Sequence, residues 1–179
     1  MDTDGIIDGW FHDYADAVYA YLRYFVDSNE VGDLVQETFM RALENRHMFR
    51  EQSSPKTWLL KIARNIAIDA KRRENRRGWL PESLLYFVAS KEKQPPEQAE
   101  INETLDDAIV ILRKMNASYK DVVLCRVIEG LSVAETAQVL GWTQSRVKTT
   151  THRALKVLRR ALDSQHTEVL PDGRIRSQR

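Results

Sequence analysis

Only one cysteine, Cys125, occurs among the 179 residues. A single thiol excludes an internal disulfide framework and any zinc site built from several cysteines. The four histidines are scattered, and none stands at ligand spacing from another histidine or from the cysteine. The sequence also lacks a glycine-rich phosphate loop and a Ser/His/Asp arrangement. These absences argue against an enzyme, and we expect no catalytic residue, cofactor, metal or small-molecule substrate.

Long apolar runs are absent too. No stretch approaches the roughly 18 apolar residues that a membrane-spanning helix needs. The chain opens with Asp2, Asp4 and Asp8, whereas a secretory signal opens with basic residues. We therefore expect a cytoplasmic protein. Cys125 lies in the apolar run of residues 122–125, which is typical of an inert, partly buried thiol; a redox role is the alternative.

What the sequence does have is an alternation of charge that the net value of +1 hides. Residues 1–40 contain one basic and nine acidic residues, whereas residues 41–78 contain eleven basic and four acidic ones. Residues 79–109 are acidic again, seven against two, and residues 110–163 are basic, ten against four. Two separate basic segments indicate a polyanion that is contacted at two places, although a solvated charged surface is the simpler alternative.

Three helices are predicted before residue 78, because apolar residues there recur at spacings of three and four. The first is expected from about Trp10 to Val26, with Phe11 on its buried stripe, and the second ends near Asn45. The third should begin at Ser54-Pro55 and reach about residue 77. A serine hydroxyl accepts a free backbone N–H at a helix start, and proline fits the first helical position.

The second half of the chain begins with a predicted linker. Prolines interrupt residues 79–103 and the helical pattern loosens there, although the apolar run at 84–88 is expected to form a short helix or to pack on another surface. Four helices are expected over residues 104–165, followed by a flexible tail over residues 166–179. Two segments have the form of capping boxes: Ser118 to Asp121 should open a helix ending at Gly130, and Ser132 to Glu135 one ending at Gly141.

The segment from Ser132 to Arg153 has the pattern of a helix-turn-helix. Ala137 is small enough for two helices to approach, Gly141 permits a left-handed turn, and Val147 packs the second helix on the first. Thr143 should cap that second helix, and Ala154, Leu155 and Leu158 should face inward. The outer face carries donors suited to phosphates and to base edges: Ser145, Arg146, Lys148, Thr149, His152 and Arg153. A plain helical hairpin with solvated basic residues is the alternative.

Two further surfaces give weaker indications of function when each is taken alone. Phe49 and Trp58 accompany the basic third helix, and aromatic rings with cations suit unpaired bases; Trp58 is equally typical of a core residue. Asp33, Gln36 and Glu37 share one side of the second helix, where a solvated surface is the ordinary interpretation.

Three segments taken in order carry a family resemblance: DLVQETFMRAL at 33–43, TWLLKIARNIAID at 57–69 and VKTTTHRALKVLR at 147–159. Over about residues 8–163 the chain resembles the extracytoplasmic-function group of bacterial RNA polymerase sigma factors, and most of all their Gram-positive cell-envelope-stress branch. The resemblance implies an all-α fold of two small domains. A sigma2-like helical bundle would cover residues 1–78, and a sigma4-like helix-turn-helix domain would cover residues 104–165.

The same resemblance implies a role for each surface. The second helix would bind the β′ clamp coiled coil of core polymerase through Asp33, Gln36, Glu37 and Arg41. The −10 element, with a non-template base flipped into a protein pocket, would be contacted by Phe49, Ser53, Lys56, Arg64, Asn65, Arg72 and Arg73. The −35 element would be contacted by Ser145, Arg146, Lys148, Thr149, His152 and Arg153. Thr150 stands where many relatives carry an arginine, which leaves the preferred −35 sequence open.

The resemblance also implies further partners, namely the β flap of the polymerase and an anti-sigma factor that is often membrane-associated. The function expected is alternative-sigma transcription initiation, in an envelope-stress response. A stand-alone helix-turn-helix regulator is the main alternative, but it leaves residues 33–43 and 56–77 without a role. A structural helical adaptor is the other, and it would show no salt-dependent DNA affinity.

Overall fold

The computed structural model describes residues 3–26, 31–49, 53–77, 110–112, 114–165, 167–169 and 175–177. The predicted linker and most of the first predicted C-terminal helix lie outside these residues. The N-terminal domain contains α1 (Thr3–Phe25), α2 (Val31–Glu44), a short 3-10 helix (Arg46–Met48) and α3 (Pro55–Arg77). The C-terminal domain contains α4 (Ala117–Val123), a π-helical segment (Leu124–Ile128), α5 (Val133–Leu140) and α6 (Gln144–Gln165).

The helices α1, α2 and α3 pack against one another around an apolar core. Tyr21 and Leu22 of α1 and Leu59 and Ile66 of α3 have no exposed surface. The core extends one turn beyond the predicted start of α1, because Ile7 is also buried. The predicted inward position of Phe11 is wrong: its side chain is 52% exposed at the edge of the stripe.

The helix α3 begins as the sequence predicts. The Ser54 hydroxyl accepts a hydrogen bond from the Thr57 backbone N–H at 3.2 Å, and Pro55 is the first helical residue. An N-cap of this kind stabilises a helix by about 1 kcal/mol relative to alanine. The cap fixes where α3 begins. The side chains of this helix then project toward two different surfaces.

The predicted capping box at Ser118 is wrong. The cap of α4 is Asn116, whose side chain accepts the Tyr119 backbone N–H at 2.9 Å. Asparagine and serine are both good caps, and here the earlier one starts the helix. Asp121 is consequently not a capping residue; it is 3% exposed and its carboxylate bonds to the N-terminal domain.

The helix-turn-helix forms where it was predicted. Ser132 and Glu135 make a reciprocal capping box, and Gly141 takes the left-handed conformation with φ of 66°. The Thr143 hydroxyl accepts the Arg146 backbone N–H, and Val147 is fully buried. Leu155 is the exception, because it is 42% exposed. The adjacent Ala154 takes the inward position, and successive helical residues are turned by about 100° from each other.

The sequence predicts a flexible tail beyond α6, but the structure has paired strands within it. Two short strands, β1 (Thr167–Val169) and β2 (Ile175–Ser177), pair antiparallel with Glu168 opposite Arg176.

The two domains are in direct contact. The helix α3 packs against α5, and α1 packs against the π-helical segment. Buried residues of both domains belong to one continuous apolar cluster. This contact decides which side chains of α3 remain available to a partner.

Candidate nucleic-acid interface

The outer face of α6 presents the whole set expected to contact the −35 element. All six side chains are exposed: Ser145, Arg146, Lys148, Thr149, His152 and Arg153. Val147 and Ala154, on the opposite side, are fully buried and anchor the helix. The arrangement leaves one helical face free to enter a DNA groove.

Arg146 is held in place before any ligand binds. Its guanidinium carbon lies 3.9 Å from the ring centroid of Trp142, in a cation–π contact. Trp142 belongs to the turn that precedes α6 and packs against the core. The contact restrains a long side chain at the N-terminal end of the recognition helix, where it would otherwise sample many rotamers.

A second candidate site is a cavity of about 450 Å³ beside the start of α3. Its lining combines apolar surface with hydrogen-bonding groups: Arg41, Asn45, Met48, Ser53, Trp58, Lys61, Ile62 and Asn65. Mixed linings of this kind suit a small ligand. Of the residues expected to contact the −10 element, Ser53 and Asn65 line the cavity.

An aromatic cluster supports one side of this cavity. The ring centroid of Phe49 lies 5.4 Å from that of Trp58 and 4.8 Å from that of Trp10. Trp58 is half-buried, so it serves the core and the cavity at once. Trp10 packs edge-to-face on both Phe49 and Trp58, and this packing fixes the orientation of Trp58.

Sequence reasoning missed four of the residues that line the cavity, namely Asn45, Met48, Lys61 and Ile62. Lys61 and Ile62 lie one turn before Asn65 on the same side of α3, and Asn45 lies just beyond α2. The i and i+4 spacing of Lys61 and Asn65 is the signal that could have found the first. Asn45 carries no such local signal, because only the packing of α2 against α3 brings it to the cavity.

Lys56 and Arg64 point away from this cavity and toward the C-terminal domain. Arg64 donates two hydrogen bonds to Asp121, from Nε to Oδ1 at 3.1 Å and from a terminal nitrogen to Oδ2 at 2.8 Å. Lys56 Nζ lies 3.1 Å from Glu129 Oε2 and donates to the Glu129 carbonyl oxygen at 2.9 Å. The expected −10 set is therefore split between two faces of α3.

Burial shapes the ionisation of these pairs. It raises the pKa of the Glu129 carboxyl, and the neighbouring Lys56 offsets only part of this effect. Burial alone would lower the pKa of Arg64, but the hydrogen bond and the charge of Asp121 outweigh it and raise that pKa. Burial also raises the pKa of Tyr21, whose hydroxyl lies 3.5 Å from Asp121.

The remaining expected residues lie on open surface. Arg72 and Arg73 are exposed near the end of α3, with Arg73 4.0 Å from Glu37. Glu37 also pairs with Arg41 at 2.6 Å, one turn along α2. Asp33 and Gln36 are exposed on the same helix. The expected polymerase-binding set thus shares one surface, with Glu37 already paired within the chain.

Among the described residues no group of three His, Cys, Asp or Glu side chains is placed to hold a metal ion. No helix within the same residues is both long and apolar enough to cross a membrane.

Comparison with known proteins gives this geometry a family. Sigma-70 region 2 matches residues 10–77, and sigma-70 region 4 matches residues 105–158. The chain is 35% identical to the ECF RNA polymerase sigma factor SigX of Bacillus subtilis, over 89% of this chain and 84% of that one. It is 32% identical to the RNA polymerase sigma factor YlaC of the same organism, over 76% and 79%.

A solved structure has the same fold. The sigma factor RpoE of Bartonella quintana, in complex with the anti-sigma factor NepR, superposes with a TM-score of 0.72. The match covers 87% of this chain and 95% of that one at 23% sequence identity. The predicted all-α, two-domain architecture is confirmed.

The two matched regions define a sigma-70-type transcription initiation factor. More narrowly, the chain belongs to the extracytoplasmic-function family of RNA polymerase sigma factors. The family expected from the three sequence segments is therefore confirmed.

Proposed function

We propose that this chain binds core RNA polymerase and directs it to promoters by contacting a −35 element with α6 and a −10 element with the cavity beside α3. The single observation that carries the proposal is the exposed donor face of α6 above a fully buried Val147. The chain acts by recognising promoter DNA, and it has no catalytic residue of its own.

The −35 contact uses the six exposed side chains of α6. Arginine and lysine suit guanine edges and phosphates, while Thr149 and His152 offer smaller donors between them. The half-buried Thr150 replaces the arginine that many relatives carry, which removes one cation from this face. We expect fewer phosphate contacts here and a weaker dependence of −35 affinity on salt.

The −10 contact places a flipped base in the cavity lined by Trp58 and Asn65. Unstacking a base costs a few kcal/mol, which stacking and hydrogen bonds in the pocket must offset. Trp58 supplies an aromatic surface, and Asn65 and Lys61 supply hydrogen-bond donors. Ser53 stands at the rim, and Phe49 supports the aromatic surface.

Binding to the polymerase uses α2. Asp33 and Gln36 are exposed, and Glu37 and Arg41 form a fixed ion pair beside them. We assign this surface to the β′ clamp coiled coil and the C-terminal domain to the β flap. The chain works in the cytoplasm, with a membrane-associated anti-sigma factor holding it inactive until envelope stress. The RpoE structure, in which a protein of this fold is bound to an anti-sigma factor, supports an anti-sigma factor as a partner.

A mobility shift with and without core polymerase tests the proposal. A promoter fragment should be retained by the mixture far better than by the free chain, because both elements are contacted together only on the polymerase. Tight binding of the same fragment by the free chain alone would instead indicate a stand-alone regulator. A fragment with both elements scrambled is the control.

A further inference from the structure

A separate cavity of about 240 Å³ lies where the end of α1, the second half of α3 and the start of α4 meet. We refer to it as the junction cavity. Residues of both domains line it: Phe25, Ile68, Lys71, Arg72, Met115 and Lys120. Of the residues assigned above to polymerase or promoter DNA, Arg72 alone belongs to this lining. The junction cavity therefore has no role in the proposed function.

The lining is strongly basic. Among the described residues, three cations and no acidic residue line the junction cavity, namely Lys71, Arg72 and Lys120. Lys71 and Arg72 are exposed, whereas Lys120 is 3% exposed, so the cationic lining extends from the surface into the interior. Lys120 also interacts within the chain. Its ammonium group has three donor hydrogens, and an anionic ligand would add a counter-charge to a site that water barely reaches.

Two acids near these cations do little to neutralise the lining. Asp69 lies 3.7 Å from Arg72, but both side chains are more than half exposed, and an ion pair of this kind contributes little. Asp121 follows Lys120 in the chain, but both of its carboxylate oxygens accept hydrogen bonds from Arg64. The electrostatics of the junction cavity consequently favour an anion.

The rest of the lining is an apolar wall formed by Phe25, Ile68 and Met115. Phe25 is 5% exposed, and its ring stacks on that of Tyr21 with centroids 5.7 Å apart. Ile68 and Met115 are partly buried and pack against the core. A ligand that fills the cavity must therefore present an apolar surface as well as an anionic group.

The number and type of the cations favour a phosphate. A phosphate monoester carries a charge of about −1.5 to −2 at neutral pH and has three acceptor oxygens. Three cations can each bind one of these oxygens, and a guanidinium matches phosphate geometry in particular. The volume lies below the range of roughly 300–1,000 Å³ that is usual for drug-sized ligands, so the ligand is small.

We propose that the junction cavity binds a small phosphate monoester whose phosphate contacts the three cations and whose aromatic or apolar body packs on the apolar wall. The site stands independently of the proposed function, because it is defined by the free chain. If Arg72 also contacts −10 DNA, a bound ligand would compete with that contact.

The methionines of the full chain report on binding at separate places. Met115 lines the junction cavity, Met48 lines the cavity beside α3, and Met40 lines a groove between α1 and α2. Phenyl phosphate is titrated into the chain with ¹³C-labelled methionine methyl groups, and M115L identifies the Met115 signal. That signal should shift saturably, with a dissociation constant on the order of 1 mM or below, while Met40 and Met48 stay unchanged. A shift of Met48 in place of Met115 would overturn the assignment, as would a titration that does not saturate.

Related compounds separate the two parts of the ligand. Phenyl phosphate should bind at least about tenfold more tightly than inorganic phosphate, which lacks the body, or phenol, which lacks the charge. Adenosine monophosphate and glucose 6-phosphate distinguish an aromatic source of the phosphate from a polar one, and the first should bind more tightly. Equal affinity for inorganic phosphate, or a preference for glucose 6-phosphate, would overturn a role for the apolar wall and with it the proposed ligand.

Charge removal tests the cationic lining. K71Q with R72Q should weaken phenyl phosphate binding at least about tenfold, because two charge-assisted hydrogen bonds are lost. The matched control is K61Q with R73Q, which removes the same charge from exposed positions of α3 outside the junction cavity. An equal loss in the control would reveal general attraction of anions and overturn the site.

Lys120 is tested separately because it is buried. K120M keeps much of the side-chain volume and should also weaken binding at least about tenfold. Circular dichroism monitors helix content. If K120M loses helix content, the exposed pair K71Q with R72Q decides; if it folds and binds phenyl phosphate as the parent chain does, the proposed site is wrong. None of these measurements needs polymerase or promoter, so they remain valid if the proposed function fails.

Discussion

Arg146 lies over the indole ring of Trp142, 3.9 Å from its centroid, at the N-terminal end of α6. The two residues are four positions apart in the chain and belong to different elements, the turn and the helix. The turn is therefore part of the binding surface, because it fixes where the first cation of α6 points.

Replacing Trp142 with Ala should lower affinity for a −35 duplex about two- to fivefold, since an exposed cation–π contact contributes roughly 0.5–1 kcal/mol. W142F keeps an aromatic face and should lose less. Fluorescence anisotropy at constant salt measures the change. The effect should vanish in an R146A background; an equal loss there would assign it to packing of the turn.

Replacing Arg153 with Ala should cost roughly 1–3 kcal/mol on the −35 duplex if the side chain contacts a base edge. R159A is the matched control, since Arg159 is an exposed arginine further along the same helix. Binding is measured on the −35 duplex and on random DNA. An equal loss of affinity on both DNAs would indicate that Arg153 contacts a phosphate and no base edge.

Replacing Asn65 with Ala should reduce strand opening at the −10 element and leave the fold intact, because the side chain is exposed at the cavity. Permanganate reactivity of unpaired thymines in the polymerase complex measures opening. E74Q is the control, because Glu74 is exposed further along α3. Normal strand opening with N65A would exclude the cavity as the site of −10 recognition.

Replacing Gln36 and Glu37 together with Ala should weaken binding to core polymerase without unfolding the chain. Glu37 also pairs with Arg41, but a surface pair of this spacing contributes only about 0.3–0.5 kcal/mol. Affinity for core is measured by fluorescence titration, with E44Q as the control. Unchanged affinity would exclude this surface of α2.

The capping box should make the helix-turn-helix sensitive to acid. Hydrogen bonds from Ser132 lower the pKa of Glu135, so its charged form is favoured in the folded chain. Its contribution is present above the unfolded value of about 4.3 and is lost as the pH falls through the folded pKa. The stability difference between the parent chain and E135Q, from urea unfolding, should therefore shrink below about pH 4. A difference that stays constant with pH would contradict this.

Local chemistry explains which parts of the fold were predictable. Ser54, Ser132 and Gly141 each determine a helix end through bonds within a few residues, and all three were predicted correctly. Where two cap types compete, as at Asn116 and Ser118, the pattern alone does not choose.

The partners of Lys56 and Arg64 were beyond the reach of the sequence pattern. Helical periodicity marks both as polar surface of α3, but it holds no information on what packs against that surface. Asp121, which was predicted to be a capping residue, lies 57 residues beyond Arg64 in the chain. Only the docking of the two domains makes it the partner of Arg64. The −10 set was split for the same reason.

Transcription with purified core polymerase on a promoter library tests the central claim most directly. With the chain added, transcripts should start at a small set of sites that share −35 and −10 sequences, and R153A should redistribute or abolish them. A start-site pattern identical to that of core polymerase alone would contradict the account.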